Sequence, residues 1–353
     1  MTTTHIVYSP RYLDHDPGSG HPESASRLEF IMNGLEESGI LAGESCSLVD
    51  PEPASDEELE LVHEADYIRL VERVCSSGGG ILDLGDTVVS SQSYEVARLA
   101  VGGALEAVNL VMRKRSKNAF AVVRPPGHHS GPYYAMGFCI FNNIAISAAH
   151  LLRSFHLDRV LILDIDAHHG NGTQEIFYET DEVLYISLHQ DPTGFPGTGF
   201  IDETGRESGL GYTVNIPLPF RTSDSAYWKA FKEVVIPIVN QYKPQFILIS
   251  AGFDGYYRDT VADLSLSACI YPKLFGCILE FAHKFCEDRI AVVLEGGYKL
   301  SFLKKIVTAI IARMSGLDYE ISDRRPASYP HVQRLAEKMI EDVKRTQASY
   351  WAL

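Results

Sequence analysis

Short apolar runs recur along this chain, and each is followed at once by polar, ionisable residues. Val160-Leu161-Ile162-Leu163 runs into Asp164, Asp166, His168 and His169. Ala119-Phe120-Ala121-Val122-Val123 runs into Arg124-Pro125-Pro126-Gly127-His128-His129-Ser130. Val183-Leu184-Tyr185-Ile186 ends in Ser187-Leu188-His189, and Phe246-Ile247-Leu248-Ile249-Ser250 ends in Ala251-Gly252-Phe253-Asp254. Ile290-Ala291-Val292-Val293-Leu294 ends in Glu295-Gly296-Gly297-Tyr298. Runs this short and uniformly apolar predict strands buried on both faces. Between them, Tyr94 to Arg113 and Asn142 to Arg153 carry helical patterns. Strands alternating with helices predict an α/β fold with a central, mostly parallel sheet and helices on both faces. All five candidate strands release their polar residues at the carboxyl end, the edge where open α/β sheets bind ligands.

The chain holds 353 residues, enough for two average domains, but α/β folds of this size also occur as one. No linker, repeat or low-complexity segment interrupts the pattern, so a single domain over 1–353 is expected. The polar tail beyond about Ser322 contains a stretch from Val332 to Val343 that predicts a surface helix, about 328–348, packing on the body without a function of its own.

Charge narrows the choice of partner. A net charge of −15 repels phosphate backbones, so nucleic acid is not expected as a ligand. It favours cationic substrates, although simple solubility would account for it equally well. The six cysteines show neither CxxC spacing nor a disulfide framework. No signal peptide and no membrane-spanning apolar run is apparent, and a cytoplasmic protein is expected.

Asp166 and His168 lie two residues apart, so an extended backbone would point both to one side and offer an oxygen and a nitrogen to one cation. An ordinary strand-to-helix loop would read similarly. The tandem His128-His129 after a Pro-Pro-Gly turn tips the balance toward a metal-assisted site, because burying that many ionisable groups is expensive unless they pair or bind a metal.

Five segments, GHHS from Gly127, DIDAHHGNGTQ from Asp164, SLH from Ser187, AGFD from Ala251 and EGGY from Glu295, stand in an order that resembles the zinc-dependent histone deacetylase family. That family also includes acetylpolyamine amidohydrolases and prokaryotic homologues, and its fold is similar to that of arginase. Further matches are His21-Pro22-Glu23 with Arg27, Gly137-Phe138-Cys139 with Asn142-Asn143, and Phe195 to Gly199. Asn171, with its Gly-Asn-Gly-Thr-Gln setting, resembles the class II branch.

The resemblance implies zinc held by Asp166, His168 and Asp254, although the same donors would hold Fe(II). It implies that Asp164 orients His128 and Asn171 orients His129. A carboxylate partner raises an imidazole's pKa and a neutral amide does not, so His129 would be the neutral base. Tyr298 would donate to the tetrahedral oxyanion. Phe138 and Phe195 would wall the substrate channel, Gly137 would line it, Asp86 would hold substrate amides at the rim, and Arg27 would sit in an internal pocket that accepts acetate. Two structural K+ or Na+ sites are implied. One would use Asp164, Ser187 and main-chain oxygens of Asp166, His168 and Leu188. The other would use main-chain oxygens of Phe177, Thr180 and Val183, with Tyr212 nearby.

One departure bears on substrate. Where many relatives read Asp-Pro-Leu, this chain reads Asp259-Thr260-Val261, and polyamine-selective relatives carry a glutamate at the Val261 position. The expected activity is therefore removal of acetyl or other acyl groups from lysine side chains in peptides or proteins. The rival is acetylpolyamine hydrolysis. A non-catalytic acyl-lysine binder would be expected to have lost a ligand or Tyr298, and an arginase-like ureohydrolase would need a second metal's ligands. A homo-oligomer remains open.

Overall fold

A computed structural model describes residues 3–353. Ten strands are formed among the described residues. They are β1 (Thr4–Val7), β2 (Cys46–Val49), β3 (Gly79–Ile81), β4 (Val88–Ser90), β5 (Asn118–Ala121), β6 (Val160–Asp164), β7 (Val183–Gln190), β8 (Thr213–Leu218), β9 (Phe246–Ala251) and β10 (Ile290–Leu294). The helices are α1 (Ser26–Glu37), α2 (Asp56–Leu59), α3 (Ala65–Ser76), α4 (Ser93–Met112), α5 (Asn143–Phe155) and α6 (Asn171–Phe177). They continue with α7 (Asp224–Ala230), α8 (Ile236–Tyr242), α9 (Ile270–Phe285), α10 (Leu300–Ser315) and α11 (Pro330–Gln347).

Eight strands form one sheet in the order β2-β1-β5-β10-β9-β6-β7-β8, and every neighbouring pair is parallel. β3 and β4 form a separate antiparallel hairpin. The central strands β6, β9 and β10 are buried along their whole length, which is why their sequences read as unbroken apolar runs rather than alternating ones. Helices flank the sheet. α4 and α5 pack on each other, α4 lies over β1, β5 and β10, and α5 lies over β6 and β9. α10 packs against α1 and α9 and reaches β1.

Caps set where the polar segments begin. Asn142 Oδ1 accepts the Ala145 N–H at 3.0 Å and starts α5, ending the loop that carries the tandem histidines. The sheet differs from the expectation in two ways. β7 does not stop at Ile186 but runs to Gln190, so Ser187 and His189 lie within the strand, both fully buried. β1, β2 and β8 also join the sheet, and none of them was among the five expected strands. No helix among the described residues is long and apolar enough to cross a membrane.

Candidate active site

Parallel register brings the carboxyl ends of the central strands together. Asp166 and His168 occupy the turn between β6 and α6, Asp254 follows β9, Tyr298 follows β10, and His128 and His129 lie in the loop after β5. The ligand atoms of Asp166, His168 and Asp254 lie within 4.8 Å of one another, and all three residues are buried. His168 Nδ1 faces both carboxylates, 3.3 Å from Asp166 Oδ1 and 2.9 Å from Asp254 Oδ2. Backbone amides hold the carboxylates in place. Ala167 N–H donates to Asp254 Oδ1 at 2.9 Å, and Gly296 N–H donates to Asp166 Oδ2 at 2.9 Å. Asp254 Oδ2 is buried and makes no well-aligned hydrogen bond, and only the His168 ring nitrogen faces it. Two buried carboxylates converging on one imidazole nitrogen are costly unless a cation meets them, so the donor set fits a divalent metal. Backbone must come close here. A Cβ on Gly296 would stand 2.6 Å from Asp166 Oδ2, and one on Gly252 would overlap the same carboxylate.

The two histidines differ through their partners. Asp164 Oδ2 lies 3.0 Å from His128 Nδ1, and Asn171 Oδ1 lies 2.8 Å from His129 Nδ1. Burial pushes His128 down, but the carboxylates of Asp164 and Asp166 outweigh it and hold the imidazole at about 10. Burial, helped by the neighbouring His128 and His168, drives His129 well below the ordinary histidine value. His129 thus favours the neutral form through burial and its histidine neighbours, while its hydrogen bond to Asn171 acts the other way. Burial also raises Tyr298 well above the usual phenol range, so its hydroxyl keeps its proton at neutral pH.

A cavity of about 150 Å³ opens onto these groups. Phe138, Phe195, Gly137, Val261 and Asp86 line it together with His128, His129, Asp166, His168 and Tyr298. Gly137 has a positive φ of 56°, and a Cβ there would stand 2.6 Å from the His129 ring and 3.0 Å from Phe195, in the channel itself. Phe138 also takes a positive φ, 70°, which an aromatic residue adopts only when its surroundings hold it. Thr87 Oγ1 accepts its N–H at 3.1 Å, and its ring meets the edges of His21 and Tyr298. Asp86 is drawn upward by partial burial and by Asp83.

Arg27 does not line the channel. It lies buried behind Tyr298, with its guanidinium carbon 5.0 Å from the ring centre, and donates to Gly297 O at 2.8 Å and to Glu23 at 3.2 Å. Asp164 and Ser187 face each other on β6 and β7, and Ser187 Oγ is 2.8 Å from His189 Nδ1. Asp166 and His168 follow β6, while Leu188 lies inside β7, where its carbonyl accepts from the Tyr227 hydroxyl at 3.5 Å. At the other expected cation position, Phe177 O accepts from Thr180 N–H at 3.4 Å, Val183 opens β7, and Tyr212 O accepts from Tyr185 N–H at 2.9 Å. The Tyr212 ring turns to Tyr242 and Trp351.

Two acids that hold this site together were not singled out from the sequence. Glu295 Oε2 accepts from the N–H groups of Gly127 and His128 at 2.7 and 3.2 Å, tying the tandem-His loop to β10. Burial raises it to about 7. Asp259 Oδ2 accepts from the N–H groups of Tyr298 and Lys299 at 2.7 and 2.9 Å, fixing the backbone that carries Tyr298. Glu295 stood inside the quoted EGGY segment, and its buried strand-end position was the available signal. Asp259 was quoted only as the start of the Asp259-Thr260-Val261 segment, and its hold on Tyr298 and Lys299 left no local mark because those partners are 39 and 40 residues away.

Comparison with known proteins agrees with this geometry. Residues 21–314 match the histone deacetylase domain. A probable deacetylase of Archaeoglobus fulgidus is 43% identical over 359 residues, covering 99% of this chain and 98% of that protein. A histone deacetylase-like amidohydrolase of Pseudomonas aeruginosa is 36% identical over 305 residues, covering 86% of this chain and 80% of that one. The crystal structure of the HD domain of HDA15 superimposes with a TM-score of 0.88 at 34% identity, covering 99% of this chain and 96% of the other.

Proposed function

The chain belongs to the histone deacetylase family, whose members are deacetylases, and on that premise we propose that it hydrolyses the amide joining an acyl group to the side-chain amine of lysine in peptides or proteins. One observation carries the reading. A three-ligand set, a tandem-His pair with unlike partners and a proton-retaining tyrosine all face one narrow cavity with aromatic walls.

Asp166, His168 and Asp254 would hold a divalent ion, zinc or Fe(II). Such an ion lowers the pKa of a water and polarises an amide carbonyl. The remaining work falls to the protein. Phe138 and Phe195 accept the aminoalkyl chain, and water is excluded as they do so. His129 Nε2, the free nitrogen of a neutral ring, takes the proton of the attacking water and later delivers it to the leaving amine. His128 remains cationic against Asp164 and offsets negative charge developing on the substrate. The Tyr298 hydroxyl donates to the oxygen of the former carbonyl. Asp86 at the mouth accepts from backbone amides of a bound peptide.

Asp254→Ala removes one ligand and tests the reading. The purified wild type should contain about one transition metal per chain. The variant should lose both that metal and hydrolysis of acetyl-lysine peptides. Full activity in metal-free protein would end the proposal.

A further inference from the structure

Asn171 is a symmetrical-looking side chain asked to do an asymmetrical job. To leave His129 Nε2 free as a base, its carbonyl oxygen must accept from His129 Nδ1–H. An amide turned over would present N–H groups instead, and the ring would then carry its proton on Nε2, where it cannot accept another. Something must therefore fix the amide. Its nitrogen donates to Tyr134 Oη at 3.1 Å, with the His129 carbonyl at 3.3 Å and Met136 Sδ at 3.5 Å beside it. Only the tyrosine hydroxyl among these could equally well donate. It cannot do so here, because its hydrogen is committed to Glu175 Oε2 at 2.7 Å, and the other carboxylate oxygen takes the Tyr133 hydroxyl at 3.2 Å. A carboxylate accepts only, so it sets the direction of every bond inward of it.

We propose that Tyr134 and Glu175 are positioning residues for the catalytic pair. The run Glu175–Tyr134–Asn171–His129 would fix the His129 tautomer from the protein surface. Glu175 is exposed and Tyr134 half-buried, and both line an open cleft on the Asn171 side, apart from the substrate channel. The proposal rests on His129 acting as the base. Removing the carboxylate frees the tyrosine hydrogen for donation to the oxygen of a turned-over Asn171 amide, and leaves the longer bond to the His129 carbonyl, at 3.3 Å, as the main restraint on the working orientation. Removing the hydroxyl deletes the partner that favoured the working orientation.

Glu175→Ala and Tyr134→Phe test this in the metal-loaded enzyme. Each should lower kcat by roughly tenfold to a hundredfold, the range for residues that orient a site's ligands from outside, with KM and metal content little changed. The double variant should be no worse than the more affected single one, because both act through one path. With 15N-labelled histidine, the wild-type His129 signal should report a protonated Nδ1, and both variants should shift it toward protonated Nε2. A merely structural role would not move that signal. Glu175→Ala alters an exposed side chain, so the test survives if Tyr134→Phe folds poorly. An unaltered tautomer in Glu175→Ala would overturn the relay. An altered tautomer with wild-type kcat would instead overturn His129 as the base, and with it the reading on which the relay depends.

Discussion

Tyr298→Phe keeps the ring in its contact with Phe138 and within 5.0 Å of Arg27, and removes a single hydroxyl. Asp259 continues to hold the backbone, so fold and metal content should be unchanged. Loss of one oxyanion donor costs on the order of 10²–10³ in turnover. Steady-state kinetics on acetyl-lysine peptides check this, and a rate near that of the wild type would make Tyr298 a packing residue only. Much of this scale was readable in advance, because ligands and acid/base groups must come from few residue types, and here they cluster within a few positions of strand ends. The family resemblance supplied the pairing of His128 with Asp164 and of His129 with Asn171, and the unlike settings followed from those partners before any distance was known. The supports were not readable. Glu23 accepts from Arg124 at 2.9 and 2.8 Å across 101 residues, and Tyr134 meets Asn171 across 37. Long-range partners of that kind leave no spacing signature.

At the scale of elements, what could be read depended on burial. β6, β9 and β10 are covered on both faces and announce themselves as apolar runs. β1 is only four residues long, and β8 alternates Val214, Ile216 and Leu218 with Thr213, Asn215 and Pro217, so neither stands out as an unbroken apolar run. β8 is an edge strand, which tolerates Pro217. α11 explains how that edge is managed. The helix packs against β8 through a buried stripe that includes Ala336, Ile340 and Val343, and Gln347 Nε2 donates to Thr213 O at 3.2 Å. The expected solvated helix is therefore a cover for the sheet edge, which would otherwise be free to pair with another chain. Ile340→Ala should cost about 2–5 kcal/mol of stability, measured by denaturant unfolding, and leave the metal site intact. No change in the unfolding midpoint would mean that α11 merely rests on the surface.

Substrate choice belongs to the whole molecule, because a local and a global charge pattern pull in opposite directions. The net charge of −15 draws polycations from a distance, whereas the channel's walls supply apolar surface and Val261 supplies no charge where the chain of a substrate would pass. A polyamine must shed water from its inner ammonium groups to enter, and without a carboxylate beside them that cost is not offset. On the proposed reading, an acyl-lysine peptide would bring an uncharged chain into the channel and leave its backbone amides at Asp86. Acyl-lysine peptides should therefore show higher kcat/KM than N-acetylputrescine or N8-acetylspermidine. Val261→Glu places a carboxylate in the channel wall, on a backbone already held by Asp259 Oδ1 through the Val261 N–H at 3.0 Å. The variant should shift the ratio toward polyamines by roughly tenfold, the factor that about 1.4 kcal/mol of added attraction yields. Ionic strength separates the two influences. Attraction to the surface is screened beyond about 8 Å at 0.15 M salt, while a carboxylate against an ammonium inside the channel is screened far less. The shift produced by Val261→Glu should persist at high salt, and any polyamine turnover driven by surface charge should fall. If the wild type prefers acetylated polyamines by tenfold or more at 0.15 M salt, the channel does not set the choice, and the chain is a polyamine deacetylase whose specificity lies in its acidic rim.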